Sequence, residues 1–492
     1  MRVVTDLRRW KPHTILLPAL LATLAATAGR VSIAADGSLQ PCHLDGFSEQ
    51  VLCGHHDVYE NRHAASGRRI PLRFAVIPAL SAKAEPDPLF LLAGGPGQAA
   101  TGLAVLAGGP FKRIRAHRDI VLVDQRGTGE SRPLECPGGD DDLSRLTRTA
   151  MLEDPSACLR GLDADVRFYS NFEAMEDLDE IRAALGYDRV NLWGGSYGTR
   201  AALVYLRLHP EHVRSVVLDG AAPFTVKFPL YTARNAQRSL DLLFDACEAD
   251  RDCHAAFPNF RTETRDLLAS LERSPARALV RHPRTGQRRE MEITRAGFAS
   301  LLRGFLYVPA HRSLVPAMMH EAAQGNFEPL LALGLSLAGW SFETMSLGMT
   351  CSILCSEDVP RIAREAIDSA TRATFIGRAE VDSWSDLCAA WPRADLPADY
   401  DRPVRAQTPA LILSGGLDPA TPPAWGEEVA RELPNSRHVV APNAAHGVSF
   451  SGCLPDLIAD FVEAGAAEGL DTACVNAIST PPFVTGSAGP KP

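Results

Sequence analysis

The sequence predicts an α/β fold: a mostly parallel central sheet with helices on its faces, interrupted by an inserted, mainly helical cap. Three observations carry that prediction. Short β-branched or Leu-rich runs alternate with amphipathic helical stretches from Leu72 to Leu218, the signature of strands joined by crossover helices. The alternation fails between Pro223 and Pro403, where Leu242, Leu243, Leu301, Leu302 and Leu330 to Leu337 mark apolar helical faces, and it resumes at Ala410. An independent second domain in that interval would leave the last two strands without a sheet to join, so the interval reads as an insertion.

In chain order, Arg8, Arg9 and Lys11 precede an uncharged apolar run from Thr14 to Ala28 and then small residues ending at Ala34-Ala35. This is the layout of a secretory signal peptide over residues 1–35. At about 15 residues the run is shorter than the ~20 a membrane span needs, and Pro18 weakens it as an anchor helix. The mature chain is expected to be exported, periplasmic or extracellular, without stable membrane insertion. Strands are expected at Leu72 to Ile77, Leu89 to Ala93, Ile120 to Val123, Val190 to Trp193, Val213 to Leu218, Ala410 to Ser414 and Arg437 to Val440. These divide the chain into a first core part (36–223), the cap (224–402) and a second core part (403–478). The Pro-, Gly-, Ser- and Thr-rich tail 479–492 reads as disordered.

Lys+Arg number 50 against 59 Asp+Glu, a formal net charge of -9, with no basic stripe to follow a phosphate backbone, so nucleic acid is excluded as a partner. Export makes the 11 cysteines candidates for disulfides. Plausible pairs are Cys42 with Cys53, Cys136 with Cys158, Cys247 with Cys253, Cys355 with Cys388 and Cys453 with Cys474, leaving Cys351, although spacing alone does not fix connectivity. The group Cys53, His55, His56, Asp57 lacks a second ligand pair at finger-like spacing. No metal or cofactor is expected.

The stretch "NLWGGSYGTRAAL" from Asn191 places Ser196 between glycines. Met175, Leu178, Ile181 and Leu185 repeat at helical spacing and Gly186 stops that helix. Val190 to Trp193 then reads as a strand and Tyr197 to Leu208 as a helix. Ser196 therefore falls on a sharp strand-to-helix turn, where Gly194 and Gly198 avoid crowding the neighbouring backbone. A serine hydroxyl needs a base, an orienting carboxylate and an oxyanion site. Asp418 follows the strand ending at Ser414, in "GGLDP", and His446 follows the last strand, in "NAAHG". Such loops lie at the carboxyl edge of a parallel sheet, where ligands bind. Ser, then Asp, then His is the order of the α/β-hydrolase triad. The loop Gly94-Gly95-Pro96-Gly97-Gln98 after an upstream strand offers the Gly95 backbone, and the Tyr197 N–H follows Ser196, giving two donors for an oxyanion.

With these residues in place the chain resembles the α/β-hydrolases of the proline iminopeptidase and tripeptidyl aminopeptidase type, serine exopeptidases with esterase relatives. The resemblance runs over nearly the whole mature chain: "CGHHDVYENRHAASGRRIPL" from Cys53, "LLAGGPG" from Leu91, "VLVDQRGTGESRPLEC" from Val121, "GGSYGTRAAL" from Gly194, "SGGLDPATPP" from Ser414 and "AAHG" from Ala444. "DQRGTGES" is the most telling block, and its Asp124, Arg126 and Gly127 look like a brace for nearby loops. Ala93 stands where many iminopeptidase relatives carry His. The resemblance implies attack by Ser196, proton transfer to His446, orientation by Asp418, an oxyanion held by the Gly95 and Tyr197 amides, and hydrolysis of an acyl-enzyme. Activity should fall as the base protonates near pH ~6.5. The substrate is expected to be a peptide with a free N-terminus or, in the alternative, a small ester or amide. An aminopeptidase needs an anchor for the substrate ammonium. Glu357 in "MTCSILCSEDVP" is the candidate, with Asp358 beside it and Glu343 a weaker choice.

Overall fold

The computed structural model describes residues 39–136, 152, 154–341, 345–486 and 489; the expected signal peptide and Glu343 lie outside them. Strands β1 (Gln40–Leu44), β2 (Phe47–Tyr59), β3 (Arg69–Ile77), β4 (Leu89–Leu92), β5 (Ile120–Val123), β6 (Val190–Gly195), β7 (Val213–Asp219), β8 (Ala276–Arg281), β9 (Arg288–Ile293), β10 (Ala410–Gly415) and β11 (Ser436–Ala441) form two sheets. The large one has the order β1-β2-β3-β5-β4-β6-β7-β10-β11. From β5 to β11 its neighbours are parallel, whereas β1, β2 and β3 join antiparallel. β4 and β5 are buried at every residue, as strands covered on both faces must be.

One face of the sheet packs on the helices Asn171–Ala184, Gly198–Leu208 and Pro423–Glu432 through Met175, Ile181, Leu203, Val204 and Val429. The other packs on Leu454–Ala464 and on the segment 100–114 through Phe111, Ile114, Ile458 and Phe461. The helix Asn171–Ala184 starts where the sequence signals it: the Ser170 hydroxyl accepts the Glu173 N–H, in the S-x-x-E pattern of a capping box. It ends at Gly186, whose φ is 78°, a conformation glycine supplies without a Cβ clash.

The insertion is two things rather than one. Residues 233–335 close around their own apolar cluster, with Phe244, Phe298, Leu302 and Met319 at its centre. That cluster also covers the hairpin β8–β9, where only Val280, Met291 and Ile293 are buried; the many outward-facing arginines hide such short strands in the sequence. The helices Leu347–Glu357 and Ala379–Ala390 instead bury Met349, Ile353, Trp384 and Leu387 in the cluster of the main sheet. Within the expected insertion 224–402 these two helices thus pack with the core, while Phe375 and Ile376 between them pack in the cap cluster.

Two further differences have local causes. The described part of the tail, 479–486, is not free: Phe483 packs on the cap cluster and the Val484 N–H donates to the Ser313 carbonyl at 3.1 Å. Two apolar residues behind Pro481 and Pro482 suffice to hold it. β1 and β2 carry an edge pattern of alternating polar residues that apolar runs do not reveal.

The cysteines pair as the sequence suggests: Cys42–Cys53, Cys136–Cys158, Cys247–Cys253, Cys355–Cys388 and Cys453–Cys474, with Cys351 free and buried.

Candidate active site

Ser196 sits at the end of β6 with φ of 54°, a left-handed conformation that costs a non-glycine residue about 1–3 kcal/mol and persists only when its surroundings enforce it. They do. A Cβ on Gly194 would lie 2.5 Å from the Gly198 carbonyl oxygen, and one on Gly198 would lie 2.2 Å from that of Leu92. The Ser196 N–H donates to the Asp219 carbonyl at 2.8 Å, and the Thr199 hydroxyl caps the Ser196 carbonyl at 2.6 Å.

The loops after β10 and β11 are pressed together in the same way. A Cβ on Gly415 would lie 1.9 Å from the Ala445 carbonyl oxygen, so glycine alone lets the two loops approach. Asp418, 1% exposed, accepts from the Ala420 and Thr421 amides at 2.7 and 2.9 Å through one oxygen. Its other oxygen meets the Thr421 hydroxyl and His446 Nδ1, both at 2.8 Å. Nδ1 is thereby committed to the carboxylate, which leaves Nε2 as the basic lone pair. Burial disfavours the imidazolium, but the adjacent Asp418 charge outweighs it and holds the His446 pKa above the ordinary value.

Asp219 ties the two halves of the site. Its carbonyl holds Ser196, while its buried carboxylate, its pKa raised by desolvation, accepts the Val448 and Ser449 amides at 3.0 and 2.8 Å. The adjoining Gly220 is packed against the His446 ring, 3.4 Å from where its Cβ would be. From the cap, Tyr307 accepts the His446 N–H at its carbonyl and sets its ring edge-on to the imidazole at 5.0 Å.

The glycine loop lies alongside: a Cβ on Gly94 would stand 3.2 Å from Ser196 Cβ. It is clamped by the Thr350 hydroxyl on the Pro96 carbonyl at 2.6 Å and by the Ser346 N–H on the Gly97 carbonyl at 2.9 Å. Gly95, Ser196, Tyr197 and Thr421 line one cavity of about 440 Å³, roofed by Arg303, Tyr307, Ile376 and Glu380 of the cap. The Arg303 Nη1 donates to both Glu380 oxygens at 2.9 Å. Nothing in the sequence isolates Arg303, Tyr307 or Glu380; Thr421 could have been suspected from its place three residues after Asp418.

Glu357 and Asp358 require a correction, because neither lines this cavity and both are fully buried, at 0% exposure. Glu357 accepts from the Asn171 amide (2.7 Å), the Asn171 side chain (2.8 Å) and the hydroxyls of Tyr197 (3.1 Å) and Tyr400 (2.7 Å). Asp358 pairs with Arg200 at 2.7 Å. They lie at the C-terminal turn of a buried helix, under the Ser196 turn, and brace it rather than receive a substrate.

Arg126 of the "DQRGTGES" block is likewise fully buried, bonded to both oxygens of Asp177 at 2.7 Å. Cys53, spent in a disulfide, leaves no thiolate beside His55 and His56. The three-residue group Asp179, His209 and His212 is a hydrogen-bonded clamp whose carboxylate already accepts Arg182, Tyr205 and His212.

An elbow serine and a glycine loop lining one cavity, with a carboxylate-bound histidine held next to them by Thr421, Tyr307 and Gly220, are the equipment of a serine hydrolase. The chain belongs to the α/β hydrolase fold family, whose sequence pattern matches residues 87–452. It is 25% identical over 409 residues to the serine protease Hip1 of Mycobacterium tuberculosis, covering 76% of this chain and 78% of that one. It is 25% identical over 405 residues to the tripeptidyl aminopeptidase of Streptomyces lividans, covering 72% and 70%. The crystal structure of a proline iminopeptidase from Mycobacterium smegmatis aligns with 84% of this chain and 98% of its own, at 15% identity and a TM-score of 0.37.

Proposed function

We propose that the protein is an exported aminopeptidase that releases single residues or short peptides from free N-termini. The observation that carries this reading is the cap roof over Ser196: the nucleophile opens into a cavity of about 440 Å³ bordered by charged cap residues, a shape suited to a chain end rather than to a passing polypeptide. The names of the aminopeptidase relatives support it. Five disulfides support an oxidising compartment.

In the proposed reaction Ser196 Oγ attacks the scissile carbonyl as His446 Nε2 takes its proton. The carbonyl oxygen, now negative, accepts from the Gly95 and Tyr197 amides, each worth about 10²–10³ in rate. His446 returns the proton to the leaving amine, and water repeats the cycle on the acyl-enzyme. Asp418 and Thr421 keep Nδ1 protonated and the ring in place.

Because His446 must be neutral and its pKa is raised, kcat/KM should fall with decreasing pH through a limb above the ordinary histidine value of about 6.5. Asp418→Asn should lower that limb and cut kcat by about 10⁴-fold, as a pH–rate profile of the two proteins would record.

The reading itself is tested with a tripeptidyl anilide carrying a free or an acetylated amine, with Ser196→Ala as blank. Much faster cleavage of the free amine is expected. Equal rates, or turnover of simple esters alone, would replace the aminopeptidase with an esterase.

A further inference from the structure

The aminopeptidase reading lacks an ammonium anchor once Glu357 and Asp358 are placed in the protein interior. Among the described residues, three charged side chains line the cavity with Ser196: Glu135, Arg303 and Glu380. Arg303 binds both oxygens of Glu380, so that pair is internally neutralised. Glu135 has no ion pair or hydrogen-bond donor among the described residues, and it is exposed where it lines the cavity. Among the described residues the cavity therefore carries one uncompensated negative charge.

The backbone that presents Glu135 is fixed on both sides. On one, the Leu134 N–H donates to the Gly127 carbonyl at 3.1 Å, and the Leu134 carbonyl accepts the Gly348 N–H at 2.9 Å and the Ser346 hydroxyl at 3.0 Å. On the other, Cys136 is bonded to Cys158. The same Ser346 amide holds the Gly97 carbonyl of the glycine loop. One short segment, Ser346 to Gly348, thus fixes the carboxylate's loop relative to the proposed oxyanion loop. A mobile surface glutamate would spend its pairing energy on its own ordering; a carboxylate on a clamped loop spends less.

We infer that Glu135 is the specificity-determining residue that receives the α-ammonium of the substrate, and so selects free N-termini. This rests on the aminopeptidase reading above. The test compares kcat/KM for the free and the acetylated tripeptidyl anilide in the wild-type protein and in Glu135→Gln, Glu135→Lys and Glu380→Gln, each first checked for an unchanged melting temperature. In Glu135→Gln the free-to-acetylated ratio should fall by about tenfold, the scale of one charge-assisted hydrogen bond, through KM more than kcat. In Glu135→Lys it should fall to one or below, because a cation then faces a cation. Glu380→Gln should retain most of the preference. A wild-type preference that survives in both Glu135 variants, or that is lost in Glu380→Gln instead, overturns the inference and leaves the aminopeptidase reading standing. No preference in the wild-type protein overturns both.

Discussion

Ser196→Ala is expected to lower kcat by about 10⁴- to 10⁶-fold while leaving substrate affinity within a few-fold. The change deletes one oxygen and keeps the Cβ, so the turn that fixes φ at 54° stays in place. The backbone bonds of Ser196 to Asp219 and Thr199 do not involve the hydroxyl. The amides of Gly95 and Tyr197 also remain, which predicts residual catalysis of about 10³–10⁴ over water. Single-turnover kinetics with an active-site titration would separate this floor from trace wild-type contamination. A loss of less than about 100-fold would mean that a different group attacks the substrate.

Arg200→Met should destabilise the fold by about 3–5 kcal/mol, the cost of leaving a buried charge without its partner. Arg200 is fully buried and lies over the Tyr197 and Phe228 rings at 5.0 and 5.5 Å. It donates to Asp358 and to the carbonyls of Pro223 and Val226. Burial already raises the Asp358 pKa and Arg200 opposes that shift, so removing the guanidinium should drive Asp358 toward its neutral form. The double variant Arg200→Met/Asp358→Leu should recover part of the loss, since it removes the stranded charge. Urea unfolding followed by tryptophan fluorescence measures both, and equal stability of single and double variants would show that the pair is not coupled.

The parallel strands and the Ser-Asp-His order were legible because their physics is local. β4, β5 and β10 are apolar at most positions, as strands buried on both faces must be, and Gly95 and Asp418 each follow such a run within a few positions. Glu357 and Asp358 were misread for the opposite reason. A pair of acids after Cys355 has the same composition whether it faces solvent or is sealed in by Asn171, Tyr400 and Arg200, partners at least 43 residues away in sequence. Glu380 and Arg303 illustrate the same limit, since their pairing across 77 residues depends on how cap helices cross. β2 was missed because Val51 and Val58 stand far apart among Ser, Glu, Gln, His and Asp, so no apolar run marks it.

The division of the insertion into two parts bears on how such an enzyme can change its substrate. The helix Leu347–Glu357 carries the bonds that steady the Tyr197 turn and the glycine loop, so a change there is felt by the chemistry itself. The cluster built from residues 233–335 with Phe375 and Ile376 reaches the cavity through Arg303, Tyr307 and Ile376 but does not belong to the core of the sheet. Diversification, whether by mutation or by exchange of segments with a relative, can rewrite that roof while the floor stays under constraint. The interchangeable module is therefore smaller than the inserted sequence and is not one continuous stretch of it: the helix Leu347–Glu357 interrupts it, and the chain returns to the cap cluster at Phe375 and Ile376.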